Sequence, residues 1–358
     1  MHRNTYVEVN LKNIEHNVKT LIQKYNDYKY YFGVAKADCY GHYGEETIKA
    51  IIRGGCNYIA VATLEEALEI RKSISNIPIL CLGIIPIEYV NECIKENITI
   101  TISNKQYLDK LIEEKCNNLK VHIKINTGMN RLGVNNKDEF NSMYQIIKNS
   151  NLVLEGIYTH IYNSSDKNIT EKQFEKFEEI ISDINLEEIP IVHVGASDTT
   201  IKYPKLQYAN GCRFGIAMYG FVENDELDLV STFRLYSEVI QINNIENETV
   251  GYNGTYKTNS KEKIAVIPIG YADGIIRKNT GRNVYIYDKS YDIVGNICMD
   301  MLFIKVDDSV KVGDKVILIR DIEHIKQIAS YLDTISYEVL CSIGKRVPRV
   351  YIAGKRRL

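Results

Sequence analysis

The sequence of 358 residues contains no tryptophan and no long apolar run. A transmembrane helix requires about 18 or more consecutive apolar residues, and no stretch reaches that length. The first residues, Met1 to Asn4, also lack the apolar core of a secretion signal. We therefore expect no membrane association and a cytoplasmic location. The absence of tryptophan, beside an abundance of Tyr, Asn, Ile and Lys, reflects a biased genome composition rather than a function.

The sequence also lacks disulfide patterns, metal-binding motifs and an excess of charge of one sign. None of the eight cysteines is spaced as C-x-x-C, and most lie in apolar segments, where a free thiol packs as a small hydrophobic group. We expect these thiols to be reduced and no metal to be bound. The formal net charge is −2, and Lys and Arg are spread along the chain. Neither nucleic acid nor a membrane surface is therefore an expected partner.

The most informative stretch that is present runs from Phe32 to Gly44, FGVAKADCYGHYG. It places Lys36 at the end of a short apolar strand, just before a polar turn that contains glycine. Partial desolvation at such a position lowers the pKa of an ammonium group and frees the amine to attack an aldehyde. An ordinary surface lysine is the alternative, but Tyr40 and His42 supply a phenol and an imidazole close by. The stretch therefore indicates Schiff-base chemistry with pyridoxal phosphate.

Strand and helix patterns alternate through residues 1–227. This alternation predicts an α/β fold, a (β/α)8 barrel of the TIM type, whose chemistry lies at the C-terminal ends of the strands. An open doubly wound sheet is the alternative, but no glycine-rich dinucleotide turn follows any strand. The eight predicted strands are Tyr31–Lys36, Tyr58–Thr63, Pro78–Ile84, Ile98–Ser103, Leu119–Thr127, Glu155–Ile161, Pro190–Ser197 and Gly211–Met218.

From about Leu227 onward the helical patterns stop and short strands with turn signals follow. We expect residues 228–358 to form a separate C-terminal all-β domain, interrupted by one helix over Ile322 to Leu332. The predicted strands are Phe233–Ile242, Lys263–Ile269, Asn283–Tyr287, Asp292–Ile297, Leu302–Val306 and Asp314–Ile319.

A second informative stretch, Leu119 to Gly133, contains a lysine that must be explained. Period-two alternation puts His122, Lys124 and Asn126 on one face of the strand, which must look into the barrel. An unpaired ammonium group there is costly, so Lys124 needs an anionic partner or a chemical modification. The same alternation directs His160 inward from a later strand.

The segment Ala35 to His42, A-K-A-D-C-Y-G-H, resembles the lysine motif of the alanine racemase family, the fold-type III pyridoxal-phosphate enzymes, and the resemblance extends over nearly the whole chain. It implies that pyridoxal phosphate is bound through Lys36 and that the substrate is a small amino acid. It also implies a head-to-tail homodimer, in which the barrel of one subunit and the β domain of the other form each site. The strand Thr5 to Asn10 would then join the β domain.

The resemblance assigns further roles at the barrel mouth. The spacing K-I-N-T-G-M-N-R implies that Lys124 is carbamylated and holds Arg131; a lysine paired with a barrel carboxylate is the alternative. His160 would hydrogen-bond the second catalytic base and Arg213, with an ordinary core histidine as the alternative. Arg213 would face the pyridine nitrogen and keep it unprotonated, because two cations in one site of low dielectric repel strongly.

The cofactor phosphate is expected at the loops after strands seven and eight, the usual phosphate site of this barrel. The family usually has asparagine and proline where this chain has Ala196 and Phe214, so the local hydrogen bonding is expected to differ. The expected phosphate partners are Ser197, the backbone N–H groups of Gly215 and Ile216, and the hydroxyl of Tyr40.

Two motifs of the second domain match the family in register and imply roles on the substrate side. Tyr252 would be the second catalytic base and Tyr271 a neighbour of the substrate. The segment that contains Met299 would place its backbone near the substrate carboxylate. Tyr337 would lie beside the cofactor phosphate.

Together these features predict a racemase that interconverts L- and D-alanine by a two-base mechanism and supplies D-alanine for peptidoglycan. A serine or serine/alanine racemase of the glycopeptide-resistance type is the alternative. The segments Tyr203–Tyr208 and Leu340–Arg346 favour it, whereas Tyr337 disfavours it because that branch tends to have asparagine there. A decarboxylase of the same barrel type is disfavoured by the missing glycine-rich phosphate segment. A non-catalytic pyridoxal-phosphate carrier is disfavoured because such proteins lack a β domain.

Overall fold

The computed structural model describes residues 2–222, 226–353 and 356–357. After a first strand, β1 (Tyr6–Asn10), eight parallel strands pair in sequence order, and the last of them pairs with the first to close a barrel. The predicted barrel is therefore confirmed. The barrel strands are β2 (Tyr30–Val34), β3 (Tyr58–Val61), β4 (Ile79–Cys81), β5 (Ile98–Ile102), β6 (Lys120–Lys124), β7 (Val153–Tyr158), β8 (Ile191–Ala196) and β9 (Gly211–Phe214).

Helical segments connect these strands, and the second of them is the left-handed turn described below. They are α1 (Leu11–Lys24), α2 (Lys36–Tyr40), α3 (Glu45–Gly54), α4 (Leu64–Arg71), α5 (Val90–Lys95), α6 (Lys105–Glu113), α7 (Lys137–Lys148), α8 (Lys167–Ile181) and α9 (Ser197–Lys202). Thr63 and Glu66 form a capping box at the start of α4, and Asn104, Asn136 and Asp166 cap α6, α7 and α8. Among the described residues, no helix is both long and apolar enough to cross a membrane.

The C-terminal part is built around one large sheet. Its strands are β10 (Phe233–Glu238), β11 (Gln241–Ile245), β12 (Thr249–Val250), β13 (Tyr256–Lys257), β14 (Glu262–Ile267), β15 (Asn283–Ile286), β16 (Lys289–Val294), β17 (Leu302–Val306), β18 (Lys315–Ile319), β19 (Arg349–Ala353) and β20 (Arg356–Arg357). The order in the sheet is β11-β14-β17-β16-β15-β18-β10-β1-β19-β20, while β12 and β13 form a separate pair. The N-terminal strand β1 thus lies in this sheet, antiparallel to β10 and parallel to β19.

Two α-helices lie in the described residues of the C-terminal part. The first, α10, spans Ile322–Leu332 as the sequence predicts, and a short helix that the sequence analysis missed, α11, follows at Ser336–Ser342. Several predicted strands are too long at their ends, and two predicted ranges differ most from the structure. The range 233–242 breaks into β10 and β11, and the eighth barrel strand ends at Phe214, because the chain turns into a 3-10 helix at Ile216–Tyr219.

The turn after β2 has an unusual backbone that positions the first candidate residues. The strand ends at Val34, and Ala37 to Tyr40 all have positive φ angles of 51° to 55°. A left-handed conformation costs about 1–2 kcal/mol per residue for L-amino acids, so the surroundings must stabilise it. Glu66 contributes by accepting a hydrogen bond of 2.6 Å from the backbone N–H of Ala37. The left-handed turn carries Lys36 and Tyr40 to the same end of the barrel.

Candidate active site

A cavity of about 440 Å³ lies at the C-terminal ends of the barrel strands. It brings together side chains from β2, β6, β8, β9, the loops that follow them, and α11. The predicted site residues that line it are Lys36, Tyr40, Lys124, Arg131, His160, Ser197, Arg213, Gly215, Ile216 and Tyr337. Residues that are more than 300 positions apart in the chain therefore surround one space.

One wall of the cavity is rich in hydroxyl groups. The buried Ser197 Oγ accepts a hydrogen bond of 2.9 Å from the backbone N–H of Gly215. A Cβ atom at Gly215 would lie 2.8 Å from the Tyr40 hydroxyl oxygen, so any larger residue would displace that hydroxyl from its place beside the backbone. The rings of Tyr40 and Tyr337 are 5.8 Å apart. Hydroxyl and backbone donors of this kind suit a phosphate group, although the Gly215 N–H is engaged with Ser197 here.

Arg213 is buried at the centre of the site and is held by neutral acceptors. Its Nη1 atom donates to His193 Nδ1 and to the His193 carbonyl, both at 2.9 Å, and its Nη2 atom donates to the Thr159 carbonyl at 2.8 Å. No carboxylate lies within ion-pair distance among the described residues. Burial lowers the pKa of Arg213 to about 10, so the guanidinium stays protonated near neutral pH. A fixed cation of this kind suits the unprotonated nitrogen of a pyridine ring.

Lys36 has the reduced basicity that Schiff-base chemistry requires. Burial, followed by the positive charge of Arg131, lowers the pKa of its ammonium group. A larger fraction of neutral amine is then present at a given pH. The side chain is only partly buried and lines the cavity, so an aldehyde bound there could reach it.

Lys124 is buried without an anionic partner. The side chain is 6% exposed, and no ion pair to a carboxylate is found among the described residues. Burial, and then the charges of Arg131, Arg213 and Lys36, lower its pKa to about 8. The charged groups that lower this pKa are all cations, which disfavours the alternative of a lysine paired with a barrel carboxylate. A chemical modification fits a lysine that is partly neutral at physiological pH.

His160 lies in the loop beyond β7 rather than in the predicted strand, which ends at Tyr158. It still lines the cavity, and its Nδ1 atom is 3.5 Å from Arg213 Nη2. Burial, and then the charges of Arg213 and Arg131, lower the pKa of His160 to about 3. The imidazole is consequently neutral, so it accepts a hydrogen bond on one nitrogen and donates on the other.

Three of the four predicted site residues of the C-terminal domain do not line this cavity, whereas the fourth, Tyr337, does. Tyr252, Tyr271 and Met299 are 69%, 42% and 52% exposed, respectively. The Tyr271 N–H donates to the Cys298 carbonyl at 3.1 Å, and the Tyr252 carbonyl accepts from Asn296 Nδ2 at 2.8 Å. These contacts tie Tyr271 and Tyr252 to the segment from Asn296 to Met299. Within one chain, all three are exposed, and none of them lines the cavity that contains Lys36.

A buried series of polar side chains beneath the site has no predicted role. His193, His122 and Glu155 extend from Arg213 through the barrel interior. The inward-facing His122 and the short sequence Glu155-Gly156 are the signals that could have indicated it. Tyr158 was also missed, although its buried ring lies beneath Arg213 and Lys124, each 5.5 Å from the ring centroid.

Comparisons with known proteins agree with this geometry. Two family models match the chain, the N-terminal domain of alanine racemase over residues 9–223 and its C-terminal domain over residues 232–351. The alanine racemase of Halalkalibacterium halodurans is 36% identical over 98% of this chain and 95% of its own length. Alanine racemase 1 of Bacillus subtilis is 34% identical over 98% of this chain and 94% of its own length.

Solved structures give the same result. The alanine racemase of Clostridium difficile 630 superposes with a TM-score of 0.94 at 34% identity and covers 100% of this chain and 98% of its own. The enzyme of Bacillus anthracis, solved with bound L-Ala-P, superposes with a TM-score of 0.93 at 31% identity and covers 100% and 97%. This chain belongs to the alanine racemase family.

Proposed function

We propose that this protein is an isomerase that interconverts L- and D-alanine in the cytoplasm and supplies D-alanine for peptidoglycan. The observation that carries the proposal is the cavity at the barrel mouth. It places a lysine of lowered pKa beside a group of hydroxyls and a buried arginine. We further propose that residues 1–227 form the cofactor-binding domain and residues 228–358 the β domain that completes the site.

Pyridoxal 5'-phosphate fits the donors that line the cavity. When bound, it supplies an aldehyde that links to an amine and a ring that withdraws electrons from the Cα–H bond of the substrate. Arg213 would face the ring nitrogen and Lys36 the aldehyde. The phosphate would be held by Ser197, Tyr40, Tyr337 and the backbone N–H groups of Gly215 and Ile216.

Arg213 determines how strongly the ring can withdraw electrons. Its guanidinium keeps its proton, since even after burial its pKa is about 10. A second proton on the facing ring nitrogen would put two cations in one site of low dielectric, which is unfavourable. Arg213 would therefore donate a hydrogen bond to an unprotonated ring nitrogen. With Arg213 in that role, electron withdrawal by the cofactor would be weaker, and proton removal would depend more heavily on well-placed bases of the protein.

Inversion at Cα needs one base on each face of the substrate. Lys36 lines the cavity and would hold or deliver the proton on one face. Tyr252 would serve the other face, but it is exposed and does not line the cavity of its own chain. We propose that a second copy of the chain, arranged head to tail, places Tyr252, Tyr271 and Met299 opposite Lys36. Their exposure in the single chain supports this arrangement.

We propose that Lys124 is carbamylated. The ammonium group first releases one proton to solvent. The lone pair of the neutral amine then forms an N–C bond with carbon dioxide while one C=O π bond opens onto oxygen, and a second proton leaves the nitrogen to solvent, so that the side chain changes overall from a cation to an anion. A pKa of about 8 leaves part of Lys124 neutral at physiological pH. The resulting anion would pair with Arg131, which in turn would hold the substrate carboxylate.

Alanine is the proposed substrate, with serine as the second candidate. Tyr337 lines the cavity and packs near Tyr40, so its phenol limits the space for a side chain larger than a methyl group. A steric restriction of this kind separates the transition-state free energies of two similar substrates, here alanine and serine, by about 1–3 kcal/mol. Some turnover of serine is therefore expected.

A racemisation assay tests the proposed function. Purified protein supplied with pyridoxal phosphate should convert L-alanine to D-alanine, and D-alanine to L-alanine, until the optical rotation reaches zero. Parallel reactions with serine and other amino acids rank the substrates by kcat/KM. Absence of racemisation with every amino acid would refute the proposal, and a higher kcat/KM for serine would replace alanine as the substrate.

A further inference from the structure

A continuous chain of hydrogen bonds runs from the cavity to the opposite end of the barrel. Arg213 Nη1 is 2.9 Å from His193 Nδ1, and His193 Nε2 is 2.9 Å from His122 Nδ1. His122 Nε2 is 3.3 Å from Glu155 Oε2. Both imidazoles are fully buried. The chain therefore links the arginine at the candidate cofactor site to a carboxylate near the start of β7.

The local backbone of β7 makes this chain possible. Val121 pairs with Leu154 and His122 pairs with Gly156, so Glu155 is the extra residue of a β-bulge. A bulge redirects the side chain of the inserted residue, here toward the barrel interior. Gly156 leaves room for the imidazole, because a Cβ atom there would lie 2.6 Å from His122 Cε1 and 2.8 Å from its Nδ1.

Aromatic rings hold the central imidazole in place. His193 is stacked between Phe32, at 4.6 Å, and Tyr158, at 4.7 Å, with interplanar angles of 13° and 14°. An imidazole clamped on both faces cannot turn out of its plane without displacing two large buried rings. Its two nitrogens are thus directed at Arg213 and His122.

The two ends of this hydrogen-bonded series, Arg213 and Glu155, allow only one arrangement of protons on the histidines. Arg213 can only donate, so His193 Nδ1 must accept and His193 Nε2 must carry the proton. His193 Nε2 then donates to His122 Nδ1, which leaves the His122 proton on Nε2. Glu155, as a carboxylate, accepts that last bond. Both ends require the same direction, so one tautomer is specified for each histidine.

The charge states agree with this assignment. Burial lowers the pKa of both His122 and His193, so both imidazoles are neutral. Burial alone would raise the pKa of Glu155, but hydrogen bonds from His122, Tyr58 and Thr99 bring it down to about 2. The hydroxyls of Tyr58 and Thr99 donate to the same oxygen, Oε2, at 2.6 and 2.8 Å. The acceptor at the end of the chain is consequently an ionised carboxylate near neutral pH.

We propose that Glu155 is a positioning residue for the active site, acting through His122 and His193 to fix the acceptor that orients Arg213. The proposal rests on the proposed function, in which Arg213 faces the cofactor nitrogen. Glu155 touches neither substrate nor cofactor. Its effect is to hold His193 Nδ1 without a proton, so that the buried guanidinium keeps a neutral acceptor and a single orientation.

Without the Glu155 carboxylate, only the Arg213 end of this series specifies the direction of the hydrogen bonds. His122 Nε2–H would then be a buried donor without an acceptor, which costs about 1–3 kcal/mol. Moving the proton of His122 to Nδ1 avoids that cost but makes two N–H groups face each other between His122 and His193. Either outcome weakens the support of Arg213.

Nitrogen NMR of the holoenzyme labelled with 15N-histidine reads the tautomers directly, and single His→Asn variants assign the signals. In the wild type, we expect both His122 and His193 to carry the proton on Nε2 only. In Glu155→Leu, we expect mixed tautomers for His122 and a fall in kcat of roughly tenfold or more, as for other outer partners of functional histidines. KM should change much less than kcat, because the substrate contacts are untouched.

Two matched variants complete the test. Glu155→Gln keeps an oxygen that accepts from His122 Nε2–H, so it should retain the wild-type tautomers and most of kcat. Thr99→Val removes a donor to Glu155 Oε2 but leaves the acceptor for His122, so it should change neither. If Glu155→Leu fails to fold, Glu155→Asn replaces it. Its side chain is one carbon shorter, so the bond to His122, which at 3.3 Å is the longest of the three to Oε2, should be lost first, while the amide stays polar opposite Tyr58 and Thr99.

Wild-type tautomers in Glu155→Leu or Glu155→Asn would overturn the proposal, as would an equal loss of kcat in Thr99→Val. Failure of the proposed function has a different signature. In that case the wild-type protein does not racemise alanine at all, whereas the NMR signals of His122 and His193 still decide whether Glu155 sets their tautomers.

Discussion

At the scale of single residues, the barrel mouth is notable for its surplus of positive charge. Lys36, Lys124, Arg131 and Arg213 all line the cavity, and Asp198 is the carboxylate found among its lining residues. Burial, and then the repulsion between these like charges, lowers the pKa values of Lys36 and Lys124. A phosphate, a substrate carboxylate and a carbamate would each bring a compensating negative charge.

The role of Lys36 leads to the first prediction. Purified holoenzyme should show the absorbance band of lysine-bound pyridoxal, and borohydride should fix the cofactor irreversibly to Lys36. Lys36→Ala should lose the reducible adduct and reduce kcat by about a hundredfold to ten-thousandfold, because it removes one acid–base group. Peptide mapping by mass spectrometry locates the label. A reducible adduct and full racemisation in Lys36→Ala would contradict the assignment.

Tyr252→Phe tests the second base. The substitution removes only a hydroxyl from an exposed side chain, so cofactor binding should stay nearly intact. Exchange of the Cα proton with deuterated solvent should slow far more for one enantiomer of alanine than for the other, since Lys36 still serves one face. Proton NMR measures both rates in the same sample. Equal and small losses for the two enantiomers would remove Tyr252 from the reaction.

Substrate preference is argued from Tyr337. The wild type should favour alanine over serine in kcat/KM, and Tyr337→Asn should shift the ratio toward serine by up to about 1–3 kcal/mol, because the smaller amide opens space and offers a hydrogen-bond partner. Tyr89→Asn, which alters an exposed tyrosine that does not line the cavity, is the control. An unchanged ratio in Tyr337→Asn would show that this side chain does not set the preference.

At the scale of elements, the left-handed turn after β2 is positioned by its contact with α11. Gly41 has a φ of +79°, and a Cβ atom there would collide with the carbonyl oxygen of Leu340. Gly41→Ala should therefore lower the free energy of unfolding by more than the roughly 1–2 kcal/mol of a left-handed alanine. It should also weaken cofactor retention, since it displaces the helix that carries Tyr337.

Gly313→Ala is the matched control for this prediction. Its φ is +92°, but no atom lies within 4 Å of the added methyl group, so it carries the backbone cost alone. Urea denaturation and cofactor dialysis compare the two variants. Equal effects in both would show that the contact with Leu340 does not hold the turn in place.

The same elements show what sequence patterns can and cannot predict. The alternation of β6 placed Lys124 inside the barrel, and the helical spacing of α10 predicted its ends, because both patterns are local. Glu155 escaped prediction because a β-bulge breaks the two-residue period. The left-handed turn was missed for a related reason, since tertiary contacts overrule the local preference of Ala37 and Cys39 for negative φ.

At the scale of the whole molecule, one chain does not bring all the predicted site residues together. The barrel mouth holds the candidate groups for the cofactor, whereas Tyr252, Tyr271 and Met299 are exposed on the β domain. Strand β1, which precedes the barrel in the chain, pairs with β10 and β19 in the sheet of the β domain. The barrel and the β domain are therefore linked both covalently and by hydrogen bonds. No spacing pattern in a single sequence states which copy of a chain supplies a residue.

Mixing two inactive variants tests whether sites are shared between subunits. In a head-to-tail dimer of Lys36→Ala with Tyr252→Phe, one site carries both defects and the other carries none. After subunit exchange, half of the dimers are mixed and each has one intact site of two, so roughly a quarter of the wild-type activity should return. Mixing Lys36→Ala with Arg213→Ala should restore no activity. Both substitutions lie in the barrel, so each site of a mixed dimer carries one of them. Native mass spectrometry verifies that mixed dimers form. If they form and the mixture of Lys36→Ala with Tyr252→Phe stays inactive, each chain must build its site alone.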